Sequence, residues 1–143
     1  MNVVSNHRCH YQITIENNKI ILNKFEKLKN IETEILKIIK SFILVYPYKI
    51  YFIIGNEEIT TKETILQNLV SIIQERKIYY QENIEKVQIF ENKIEEGRIV
   101  INPLVINSDL LGTVVLIGNE KINDLINVSK VINNIIKDII ESK

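Results

Sequence analysis

The apolar positions change their period several times along the chain, and each change predicts an element. Residues 12–25 alternate, with Ile13 and Ile15 before Asn17-Asn18, and Ile20 and Leu22 after it. A period of two around residues that tolerate positive φ predicts a β-hairpin turning at 17 and 18. From Glu26 the steps become three and four. Leu28, Ile31, Ile35, Ile38, Phe42 and Val45 mark one face of a helix over 26–45, which Leu36, Ile39 and Ile43 widen. Pro47 bars its continuation.

Residues 48–54 predict a strand ending at Gly55-Asn56, and 61–77 predict a second helix through Ile65, Leu69, Ile72 and Ile73. Thr61 followed by Thr64 is only part of a capping signal. Short strands are expected at 78–80 and 87–90. Residues 91–98 hold five charges (Glu91, Lys93, Glu95, Glu96, Arg98) with Gly97, and are expected to form a loop. Two apolar runs, 99–106 and 111–118, flank Asn107-Ser108-Asp109 and predict an antiparallel hairpin at or near the sheet centre. The last helix is expected over 122–140, with Leu125, Val128, Ile132, Ile135 and Ile139 on one face and Ile126, Ile136 and Ile140 beside it. Hairpins and strands packed against helices make this an α+β domain.

Composition adds little chemistry. The 143 residues carry 18 Lys plus Arg and 18 Asp plus Glu, a balance that argues against an extended nucleic-acid surface. Ile supplies 31 residues and Asn 17, Lys outnumbers Arg 15 to 3, and Ala and Trp are absent. That bias looks like AT-rich coding, so an Ile-rich run alone is a weak signal. No apolar run approaches the roughly 18 residues that span a membrane, and the N-terminus has no signal core. A cytoplasmic protein with no membrane partner is expected.

"HRCHY" brings His7, Cys9 and His10 together, but they are the only His and Cys of the chain. A structural zinc site usually needs four ligands, so no metal is expected, and no cofactor. Glu57-Glu58 and Glu95-Glu96 are expected to be solvated loop charges. The four glycines form no phosphate-binding pattern and read as turn residues. Pro103 cannot donate to a ladder and marks an edge or a bulge. Tyr46, Tyr48, Tyr51, Tyr79 and Tyr80 are expected at the edge of the core. With no nucleophile, base or metal constellation, no catalytic residue is assigned and an enzyme is not expected. The helices carry more apolar residues than one sheet-facing stripe needs. The surplus implies self-association, a homodimer or higher, through Leu28, Ile31, Ile35, Ile38, Phe42, Ile132, Ile135, Ile136 and Ile139.

The run "GRIVINPLVINSDLLGTVVLIG", followed by a long apolar helix, resembles the closing segment of GAF domains, with Pro103, Leu104 and Gly112 at the matching motif positions. That resemblance implies a GAF-like antiparallel sheet, a final helix packed beneath it, and a ligand pocket near Pro103 whose ligand and residues stay unassigned. "YQITIENNKIILNKF" resembles the second hairpin of AbrB-type swapped-hairpin DNA-binding domains. The layout implied is a partial AbrB-type arm over 1–25 and a GAF-like domain over 26–143 that includes a linker helix, 26–45. Together they imply a sensory and dimerisation domain of a bacterial sporulation-type transcription regulator, biased by a small molecule or partner. A stand-alone small-molecule or protein-binding module is the alternative. The family's first hairpin, with its Gly-Arg and Ile-Pro segment, has no counterpart in "MNVVSNHRCH". DNA is therefore expected as a partner only if such a hairpin lies upstream.

Residues 1–25 carry Arg8, Lys19 and Lys24 against Glu16, a formal charge of +2. Phosphate neutralisation supplies most non-specific affinity, so the chain is expected to bind DNA weakly and without sequence preference. Titration into operator-like and scrambled duplexes at physiological salt checks this, and nanomolar preference for one duplex would refute it.

Overall fold

The computed structural model describes residues 31–142. The expected hairpin at 12–25, the His7–His10 segment, Leu28 and the first turn of the 26–45 helix lie outside them. The elements are α1 (Glu32–Val45), β1 (Lys49–Ile54), β2 (Glu57–Glu58), α2 (Gln67–Gln74), β3 (Tyr79–Phe90), β4 (Lys93–Ile106), β5 (Asp109–Gly118) and α3 (Ile122–Ser142). The five strands form one antiparallel sheet in the order β2-β1-β5-β4-β3. The chain is thus an α+β fold. Among the described residues no helix is long and apolar enough to cross a membrane.

The hairpin of 99–106 and 111–118 is present and central. Ile99 faces Ile117 and Ile106 faces Asp109 across the β4–β5 ladder. Asn107 and Ser108 have φ of 53° and 71°, the double positive φ of a two-residue turn that matches strand twist. Arg76 Nη1 donates to the Ser108 carbonyl at 3.0 Å, so the end of α2 braces the turn. Leu104 faces Gly112 and Val105 faces Leu110, which leaves Leu111 as an extra residue on β5. Across the bulge the alternation slips by one, so that Leu111 shares a core with Val114 and Leu116, and Leu110 shares the other with Val115 and Ile117.

Those two cores lie on the two faces of the sheet. On one, α1 and α3 pack Ile35, Ile39, Leu125, Ile132 and Ile136 onto Phe52, Val100, Val114 and Leu116. On the other, α2 packs Leu69, Val70 and Ile73 with Ile53, Ile89, Ile101 and Val115. Covered on both sides, β5 is buried from Leu110 to Gly118. This is why its sequence is a continuous apolar run and not an alternation.

Several expectations need correction. The strands 78–80 and 87–90 are one strand, β3, whose middle is polar because it is an exposed sheet edge. Its ladder with β4 is irregular between Gln81 and Glu85. There Arg98 Nε donates to the Glu82 carbonyl at 2.6 Å while Nη1 donates to the carbonyls of Asn119 and Glu120. Residues 91–98 are not a loop. The turn is confined to 91 and 92, and β4 begins at Lys93 with its backbone satisfied by β3.

The helix expected over 61–77 is shorter, Gln67–Gln74. Upstream, the amides are committed elsewhere. Thr60 and Thr61 donate to the Glu58 carboxylate at 3.0 and 2.8 Å, Ile65 to the Asn56 carbonyl and Leu66 to that of Ile89. Lys62 has a φ of 63°, which a helix interior does not allow. Glu58 is 1% exposed and closes this turn, so it is structural and not solvated.

Gly112 is held by packing. A Cβ there would stand 2.6 Å from Cε2 and Cζ of Phe52, which is itself fully buried. Gly112→Ala is expected to lower the unfolding free energy by about 1–3 kcal/mol, the usual cost of overpacking a filled core. A urea transition measures it, and an unchanged midpoint would show that Phe52 swings aside at no cost.

Candidate functional site

Two polar clusters stand out against the apolar cores of the described residues. The first lies on the α2 side of the sheet, where Tyr51 packs against that core. A period of two puts Lys49 and Tyr51 of β1 and Lys93 and Glu95 of β4 on that face. The Tyr51 hydroxyl donates to Glu95 Oε2 at 2.8 Å. Lys93 Nζ donates to the same hydroxyl at 3.2 Å and lies 5.7 Å from the ring centroid. Phe90 meets the Tyr51 ring edge to face, with centroids 5.4 Å apart.

The Glu95 side chain is 7% exposed, and Lys49 Nζ stands 3.8 Å from its Oε1. Oε1 has no hydrogen-bond partner among the described residues. Two flanking ammonium groups offset the charge that burial would otherwise penalise. Burial, then the hydrogen bond to Glu95 and its charge, push the Tyr51 phenol well above its ordinary pKa of 10.0. The Tyr51 hydroxyl is held as a donor to Glu95. A cleft of about 400 Å³ opens beside the cluster, with Lys49, Lys93, Glu95, Glu96 and Asn119 among its walls.

The second cluster lies on the opposite face, between β4 and α3. Asn102 Nδ2 donates to Ser129 Oγ at 3.0 Å, and Ser129 Oγ donates to the Ile126 carbonyl at 2.7 Å. Asn133 Nδ2 donates to the Asn102 carbonyl at 2.9 Å. These bonds fix the angle of α3 on the sheet, because each joins a strand residue to a helix residue or to its own turn.

Pro103 sits one residue away. β3 pairs with β4 only from Tyr79 opposite Ile101 onward. Among the described residues β4 is locally an edge beyond that pair, and the missing N–H of Pro103 costs no ladder bond there. The Leu111 bulge follows at once, so Pro103 marks both an edge and a bulge. Pro103 and Leu104 line a groove of about 410 Å³ there.

The residues singled out as interface positions divide in two. Ile31, Ile35, Ile132 and Ile136 are at most 1% exposed and are spent inside the core of one chain. Ile38, Phe42, Ile135 and Ile139 are half-buried. Gly112 lies under Phe52 and lines neither opening. Tyr46 stacks between Phe42 and Tyr48, Tyr48 is buried, and Tyr80 is exposed. The expectation that Glu95 is a solvated loop charge is corrected here: it is a strand residue facing a tyrosine. Once 93–98 is read as strand, the shared parity of Lys49, Tyr51, Lys93 and Glu95 makes the cluster legible. The signal for the second cluster was Ser129 and Asn133 at i, i+4 on the apolar face of α3.

Among the described residues no group of three or more His, Cys, Asp or Glu is placed to hold a metal ion. No protein-family model matches the chain, and a search of curated proteins returned no match.

The Tyr51 shift has a sign that alkaline titration reads. The folded state holds this proton more tightly than the unfolded chain does. Its contribution is whole below the unfolded pKa of 10.0 and is lost as pH rises through the higher folded value. Unfolding free energy is expected to fall as pH is raised from neutrality to about 11, and to fall less steeply in Tyr51→Phe. Tyr48, raised by burial and then by Asp124 and Glu120, supplies part of the remaining slope. Parallel curves for the two proteins would count against the Tyr51–Glu95 contact as the source.

Proposed function

We propose that this chain is a GAF-like sensory and dimerisation domain of a cytoplasmic bacterial transcription regulator, one resembling stage V sporulation protein T. Ligand or partner binding at the sheet would bias the packing of α1 and α3, and their geometry would set that of an N-terminal DNA-binding arm. The observation that carries the reading is the placement of those two helices. They share one face of the sheet, and their apolar character continues past what the sheet covers. Leu44 is 88% exposed and Val45 73%, with Ile43 beside them and Val131 exposed on α3. Further support comes from the order of the closing elements: a Pro103-Leu104 strand, a polar turn, Gly112 in an apolar strand, and a final helix against the sheet.

A stand-alone binding module without a DNA role is the second reading, and two ligand-sized openings favour it equally. The two readings part at the helices. A Val, Leu or Ile side chain fully removed from water contributes roughly 1.5–3 kcal/mol, so a few such residues are enough to hold a dimer.

Light scattering on the full chain is expected to report a dimer at micromolar concentration. Leu44→Lys with Val131→Lys is expected to yield a folded monomer, since both residues are exposed in the single chain. A monomeric parent, or a variant that still dimerises, would remove the helix pair from the mechanism.

A further inference from the structure

We propose that the groove between the unpaired end of β4 and α3 binds a small hydroxy-dicarboxylate, an organic anion with a carboxylate at each end and a hydroxyl between. The groove exists because β3 starts only at Tyr79, so that among the described residues β4 beyond Ile101 has no paired strand on that side. Pro103, with no N–H, cannot recruit one. Ile78, Pro103 and Leu104 give it apolar walls, and Asn133, Lys130 and Lys137 of α3 give it a polar one. Its volume of about 410 Å³ lies in the range of small-molecule sites.

The polar wall carries the specificity. Asn133 is 7% exposed, and its Nδ2 is already used on the Asn102 carbonyl. Its Oδ1 is buried and has no hydrogen-bond partner among the described residues. An unmatched buried acceptor is rare in folded proteins, and a ligand hydroxyl donating to it would satisfy it.

Lys130 and Lys137 flank this acceptor, three residues before it and four after. They are separated by about 10 Å along the helix axis. No Asp or Glu lines the groove. Among the described residues neither lysine has a carboxylate within ion-pair distance. One acceptor between two cations is the complement of one donor between two anions. Asn134 also lines the groove and adds a neutral amide to the same wall.

The inference deepens the sensory reading and rests on it for its consequence only, because α3 is both a wall of the groove and half of the helix pair. L-malate is the probe, titrated into the full chain and followed by amide NMR and thermal shift, with light scattering on the same samples. Saturable shifts of the Asn133 side-chain amide are expected. Succinate, which has the charges without the hydroxyl, is expected to bind about tenfold more weakly. Lys130→Gln with Lys137→Gln alters two surface lysines and is expected to abolish saturation while leaving the fold intact.

Three results would overturn the site: no saturable shift, equal binding of succinate, or a double variant that binds like the parent. Shifts reproduced by sodium chloride at matched ionic strength would do the same. A dimer that persists without malate binding defeats the site and leaves the helix reading standing. Saturable binding by a strict monomer does the reverse.

Discussion

Everything else in the structure leans on β5 having no water on either face. It is the middle strand of five, with α1 and α3 below and α2 above. A strand so placed must carry apolar side chains at successive positions, which feed the two cores in turn. Gly112 is the point of closest approach, where the ring of Phe52 takes the space of a missing side chain. The Leu111 bulge shifts the alternation just before that point, so that Leu111 joins the core of Phe52 and Leu110 the opposite one.

What the chain made legible was whatever depended on apolar period or on turn chemistry. The hairpin at Asn107-Ser108 and the long closing helix follow from such local patterns, and so does the break at Pro47. What stayed hidden depended on partners distant in sequence. The middle of β3 is polar because it is an edge, so it shows no apolar period. Glu58 looks like a solvated acid until the amides of Thr60 and Thr61 are found turned onto it. The helix before Leu66 fails for the same reason: Ile65 and Leu66 give their N–H groups to Asn56 and Ile89.

The two polar clusters illustrate different ways to keep polar atoms among apolar ones. On the α2 face a carboxylate is flanked by two lysines and a phenol, so charge is compensated by charge. On the α3 face the groups are neutral, and amide meets carbonyl and hydroxyl in a chain from Asn133 through Asn102 to Ser129. The neutral chain also orients a helix. Its hydrogen bonds have direction where the surrounding contacts of Ile132 and Ile136 do not, so the rotation of α3 about its own axis is set by amides and not by packing alone.

The pairing of strands also separates local contacts from distant ones. β4 and β5 are joined by a two-residue turn, and β3 and β4 by a turn of similar length, so this three-strand meander closes through local contacts. β1 reaches β5 across a long stretch of intervening chain, pairing Lys49 with Ile117 through to Ile53 with Thr113. That pairing carries a larger loop-closure cost than either turn of the meander. Tyr51 and Lys49 come from β1, whereas Glu95 and Lys93 come from β4. The charged cluster accordingly exists only where β1 and β4 are both in place. Its integrity then reports on the docking of the whole α1–β1 segment.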